Sequence, residues 1–173
     1  MVEKRDRLGK LARSIDILVE KDDRQVKRER EIDETRRRAA MELHGACAIF
    51  VASVNRLLSK TALELSPQNF TPELFRDEGE NIFQINVRGR ILQIEFESTT
   101  ELISTENFRV PHVLEGSVRA FNQELLERST IEEQLLFFCL EKNRNSWRFF
   151  NARTYHTGMF DQEYLISLME QLV

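Results

Sequence analysis

Cysteine is scarce in this chain, with only Cys47 and Cys139 among 173 residues. They stand far apart in apolar runs, and no Cys-x-x-Cys or Cys/His spacing accompanies them. That excludes a disulfide framework and a zinc site, and leaves both as small core hydrophobes. Long apolar stretches are missing as well. The longest nearly uncharged run, Gly45 to Val54, is too short to cross a bilayer, and the first residues lack a signal-peptide apolar region. These absences predict a reduced, cytoplasmic protein. Gly-rich phosphate loops, His-Glu-x-x-His and Gly-x-Ser-x-Gly are also lacking, so no nucleophile, metal set or cofactor cradle can be assembled. The expectation is a protein that is not an enzyme and carries no cofactor and no metal.

Charge is plentiful but unevenly placed. Residues 1–60 hold 15 Lys+Arg and 11 Asp+Glu, whereas residues 61–173 hold 10 and 18. A basic arm on an acidic body favours contacts between the two, within one copy or between copies. Nucleic acid is a poorer fit, because acids interrupt both basic runs and no aromatic is interleaved for base stacking. A membrane surface is poorer still, since the arm's apolar stripe is narrow and lacks an aromatic.

The most informative stretch runs from Ile82 to Phe96. Arg88-Gly89 suits a two-residue hairpin loop, with glycine supplying a positive φ. Closing there sets Val87 opposite Arg90, Ile85 opposite Leu92 and Phe83 opposite Ile94. Gln84 then meets Gln93 and Asn86 meets Ile91 on the other face. A loop one residue longer would set apolar side chains against polar ones. One face is therefore core and the other semi-polar, with Glu95 and Glu97 on a solvated side.

Before this hairpin the chain is helical. Leu8, Leu11, Ile15 and Leu18 have 3, 4, 3 spacing and form one stripe, a candidate self-association seam. Continuing the heptad frame lands on Asp22, Gln25 and Glu29, so the seam stops after two heptads. Glu20 to Arg38 is almost wholly charged, with acid-before-base i,i+4 pairs such as Glu20–Arg24, Asp23–Lys27 and Asp33–Arg37. Residues 1–38 are read as a projecting charged arm, a possible short coiled coil, with a break at 20–23. Ala39 to Lys60 makes a second helix, continuous with the arm or joined to it by a kink, whose stripe is Leu43, Cys47, Phe50, Val54, Leu57 and Leu58. Its reverse side is small (Gly45, Ala48, Ala52, Ser53), which suits a helix between two layers. His44 beside it is read as a packed residue.

Ser66-Pro67 and Thr71-Pro72 each offer an N-cap followed by proline, the second starting a short helix from Pro72 to Glu78. Beyond Glu97, residues 98–106 read as a loop or edge segment. Pro111 demotes Phe108–Leu114 to an edge strand, and Glu115-Gly116 reads as a turn. Ser129/Thr130 followed by Glu132/Glu133 has capping-box spacing and predicts a helical turn near 130. Leu135–Leu140 and Trp147–Tyr155 form a second hairpin, apolar on both faces, with a four- or five-residue loop. Asp161 caps a final helix, with Phe160 and Leu165 as a hydrophobic staple.

The chain is thus expected to be α+β: an arm over 1–38, and a domain over 39–173 with an antiparallel sheet of about five strands. The long N-terminal helix and the C-terminal helix pack on that sheet. This element order is similar to that of type III secretion chaperone-like folds, a resemblance that implies a dimeric binder of another protein. The residues themselves predict a non-enzymatic association module that self-assembles through its helical part, as a homodimer or with another protein. The alternative is a small-ligand domain with a pocket at the sheet end lined by Arg153, Tyr155 and His156.

Overall fold

The computed structural model describes residues 1–103, 110–122 and 132–173. It is an α+β protein whose described residues include two α-helices, α1 (Val2–Asn55) and α2 (Gln162–Glu170). Among the described residues its antiparallel sheet has seven strands rather than about five: β1 (Glu64–Ser66), β2 (Asn81–Val87), β3 (Arg90–Ile103), β4 (His112–Asn122), β5 (Glu132–Cys139), β6 (Ser146–Phe150) and β7 (Thr157–Met159). Strand order follows sequence order throughout, so each strand pairs with its neighbours in the chain. The chain divides into two compact units, Met1–Thr35 and Arg36–Val173.

The first unit is helix alone. The expected break at 20–23 does not occur: α1 runs on without interruption to Asn55. Charged residues spaced four apart support helix without needing a buried face, and no proline interrupts the run. The helix stops at Asn55, short of Lys60, because its last apolar residues have nothing to bury against. Leu57 is 87 % exposed. Asn55 closes the end by exchanging side-chain hydrogen bonds with the backbone of Leu63, at 2.7 and 3.0 Å.

In the second unit, Ala39, Ala40, Leu43, Cys47 and Phe50 are buried, and the sheet face beneath them is aromatic. Phe70, Phe83, Phe96, Trp147 and Phe138 form a run of edge-to-face rings with centroids 5.0–5.3 Å apart, the spacing such pairs prefer. The Trp147 indole donates to the Ala39 carbonyl at 2.8 Å, tying α1 to β6. His44 is packed as expected, its Nε2 2.8 Å from the Pro67 carbonyl oxygen and its ring against Phe70 and Phe83. On α2, Asp161 accepts from the Tyr164 backbone N–H at 2.9 Å. Tyr164 stacks flat on Phe149 at 3.9 Å. The opposite sheet face carries a smaller buried cluster of Phe137, Cys139 and Phe150, with Val110 and Leu135 against it.

The first hairpin has the expected register, Phe83 with Ile94, Ile85 with Leu92 and Val87 with Arg90. Arg88 and Gly89 both take positive φ, 52° and 87°, the geometry of a two-residue hairpin turn. Elsewhere several expectations are corrected. Ser66 ends β1 instead of capping a helix, and Thr71-Pro72 opens only a single 3-10 turn, Pro72–Leu74. Residues 98–103, expected as a loop or edge segment, extend β3, which lies between β2 and β4; Ser98 pairs with Leu114 and Ile103 with His112 across a bulge. Glu115-Gly116 is not a turn. It lies within β4, which sits between β3 and β5 and is no edge strand. Gly116 is required for another reason: a Cβ there would fall on the Glu95 carbonyl of β3. Glu132 and Glu133 belong to β5 rather than to a helical turn, while Ser129 and Thr130 lie outside the described residues.

The second hairpin exists, but neither expected register is right. Phe138 pairs with Trp147 and Cys139 with Ser146, leaving a six-residue connection. With apolar side chains on both faces, alternation cannot choose a register. Tertiary partners choose it: Ala39 for the indole and Tyr164 for Phe149. The strand then stops at Phe150, and Asn151–Tyr155 forms a tight turn into β7, with Tyr155 at φ 58°.

Candidate functional site

Leu8, Leu11, Ile15 and Leu18 all lie on α1 within the first unit, and each remains 49–57 % exposed. Every residue from Met1 to Glu31 is exposed. At 100° per residue the four fall within one stripe about 80° wide. The structure adds two members that the strict heptad frame overlooked. Val19 and Val26 follow Leu8 and Ile15 by eleven residues each, almost three whole turns, so they return to the same line. Both are about half exposed. Ile17, 64 % exposed, lies off the stripe. These large aliphatic groups are aligned on one side of the helix and have no neighbour in their own unit.

Where the helix enters the second unit, two residues hidden in a charged run prove specific. Arg36 donates to the backbone carbonyls of Val113 at 3.1 Å and Thr99 at 2.6 Å, so one guanidinium serves both β3 and β4. Arg37 grips both carboxylate oxygens of Asp77, at 2.8 and 2.7 Å, over the ring of Phe75. Nothing in sequence distinguishes these arginines from Arg38, because their partners lie 35–77 residues away.

The three residues proposed for a ligand lie close together in the chain, in the connection after β6. Arg153, Tyr155 and His156 are exposed on the β6–β7 turn, Tyr155 at 75 %. Tyr155 leans on Phe150 and His156 on Phe149. A cleft of about 330 Å³ lies elsewhere, lined by Glu80, Glu95, Glu97, Glu115, Ser117 and Phe137 among others. Arg119 stands 3.6 Å from Glu95 and 3.2 Å from Glu133, neutralising part of its rim. Among the described residues no group of three or more His, Cys, Asp or Glu could hold a metal ion. Both cysteines are free and buried, and burial pushes each thiol up to about 12. Such thiols are neutral and unreactive at ordinary pH. Among the described residues no helix is long and apolar enough to cross a membrane.

Compared with protein-family models, with curated proteins and with solved structures, the chain matches none.

Proposed function

We propose that this chain is a non-enzymatic association module that forms a homodimer through the N-terminal part of α1, in a reducing, cytoplasmic setting. One observation carries the proposal: the aligned, half-exposed stripe of Leu8, Leu11, Ile15 and Leu18 on a helix segment whose other positions are mostly charged. A solvated helix of this composition needs no leucines, and isolated apolar residues would not fall into register. The uninterrupted helix also removes an obstacle. Two heptads are too short to fold and pair unaided in water, but here the same helix is held by the packed segment from Ala39 to Val51.

The test is mass in solution. At about 50 micromolar, a range in which weak specific dimers are populated, the full chain is expected to sediment as a dimer. A chain beginning at Arg36 should sediment as a monomer, as should the full chain carrying Leu11→Asp with Ile15→Asp. A monomeric full chain, unchanged by the two substitutions, overturns the proposal. The surface would then belong to a different protein partner.

A further inference from the structure

We infer that the two arms pair antiparallel, in one defined register, with Lys4 of each copy facing Asp22 of the other. This rests on the self-association reading above and specifies its geometry. In the heptad frame that places Leu8 and Ile15 at a, and Leu11 and Leu18 at d, the same frame puts Lys4 at d and Asp22 at a. In a parallel, in-register pair every seam residue meets its own copy. Lys4 would meet Lys4, Asp22 would meet Asp22, and Glu29 would meet Glu29, all within the seam. Like charges held there oppose pairing.

An antiparallel pair layers a residues against d residues, and a closed two-fold arrangement repeats each contact. Only one register matches all four apolar residues with one another: numbers in each layer sum to 26. Leu8 then meets Leu18, Leu11 meets Ile15, and the next layers out place Lys4 against Asp22. Sliding by one heptad either way sets Lys4 against Ile15 or Leu11 against Asp22. The two charged positions that directly flank the four apolar residues thus complement each other, which a parallel pairing cannot achieve.

The surrounding charge agrees. Residues 1–12 carry Lys4, Arg5, Arg7 and Lys10 against Glu3 and Asp6, while residues 14–25 carry Asp16, Glu20, Asp22 and Asp23 against Lys21 and Arg24. The chosen register lays the basic segment of one copy along the acidic segment of the other. One flanking pair, Arg7 with Lys21, is repulsive, and both side chains are long and exposed enough to diverge into solvent. Ala12 and Ser14 fall at the two-fold centre, where small side chains allow close approach.

Spin labels on the full chain test the geometry, using Glu3→Cys or Ser14→Cys. The native Cys47 and Cys139 are fully buried and do not compete for label. The antiparallel register predicts a short label separation at position 14, under about 20 Å for helix axes 8–10 Å apart. It predicts a long one at position 3, about 30 Å or more, since twenty residues of helix rise separate the two. Charge reversal is the second arm of the test. Lys4→Glu alone should weaken the dimer about tenfold, and adding Asp22→Lys should restore it to within about threefold. A dimer with short separations at both positions, or no recovery in the double reversal, overturns the antiparallel register while leaving self-association intact. A full chain that stays monomeric overturns self-association itself.

Discussion

The two ends of α1 carry the same kind of apolar periodicity and meet opposite fates. Leu43, Cys47 and Phe50 are at most 3 % exposed, whereas Leu8, Leu11, Ile15 and Leu18 remain 49–57 % exposed. One helix thus shows that a 3-4 spacing specifies a sticky face without specifying what covers it. For the second half the cover is an aromatic sheet in the same unit. For the first half the chain offers no cover within its own unit. The charged segment between them, Glu20 to Arg38, keeps the helix continuous and keeps the two apolar faces separate.

That contrast breaks most directly at the core. Phe83 touches His44, Phe70 and Phe96 and is 1 % exposed. Phe83→Ala should cost the body roughly 3–5 kcal/mol through lost burial and the cavity left behind. Leu11→Asp with Ile15→Asp should change the stability of the monomeric body by less than about 0.5 kcal/mol, as expected for surface positions. Urea unfolding followed by Trp147 fluorescence measures both. A body that unfolds when the arm is made acidic would erase the distinction between the two regions.

The boundary between them is a sharper place to press. Arg36→Met keeps the length of the side chain but removes the donors serving Thr99 and Val113. Losing charge-assisted hydrogen bonds to part-buried carbonyls costs about 1–3 kcal/mol, even though the Val113 carbonyl still accepts from the Thr99 hydroxyl. The loss should appear in the same urea transition, with the mass of the full chain unaffected.

Legibility from sequence follows the same physical line. The first hairpin was readable because its faces differ: Gln84, Asn86 and Gln93 opposite Phe83, Ile85 and Leu92 leave one acceptable parity. The second hairpin was not, because Phe137 and Phe138 are both buried, on opposite faces, and alternation is then silent. β4 was misread because Pro111 and Gly116 imitate punctuation. Pro111 actually precedes the strand, and Gly116 answers a close backbone approach. The short β1 and β7, three residues each, carry too little pattern to register at all. The exposed apolar stripe was legible to Leu18, while Val19 and Val26 escaped because a strict seven-residue frame drifts off a straight helix. Arg36 and Arg37 escaped because a charged run looks solvated until its distant partners are known.

Alkaline pH separates the regions by chemistry. Burial holds the Cys47 thiol at about 12 against an ordinary value of 9.0. The folded state therefore keeps a proton that the unfolded chain releases from pH 9 upward, and stability is full below pH 9 and lost as pH rises toward 12. Each pH unit in that window should remove about 1.4 kcal/mol relative to a Cys47→Ala chain measured in parallel. The arm has no cysteine, so its helicity by circular dichroism should not share this difference. Equal pH slopes for the two chains would show that the α1 face over the sheet is wetter than its burial indicates.

The mildest perturbation is Asp77→Asn. It removes the charge that Arg37 grips at 2.7 Å while retaining the shape and one acceptor oxygen. The two side chains are 33 % and 56 % exposed, so water and salt screen the pair. A partly exposed ion pair contributes about 0.2–1 kcal/mol, even with both carboxylate oxygens engaged. Arg37 also keeps its contacts with the Pro72 carbonyl at 3.3 Å and the Phe75 ring, which limits the loss further. The expected result is a small downward shift in the urea midpoint that shrinks as salt is raised. A loss as large as that of Arg36→Met, insensitive to salt, would mean that the first turn of α1 in the body depends on Arg37 as much as on Arg36.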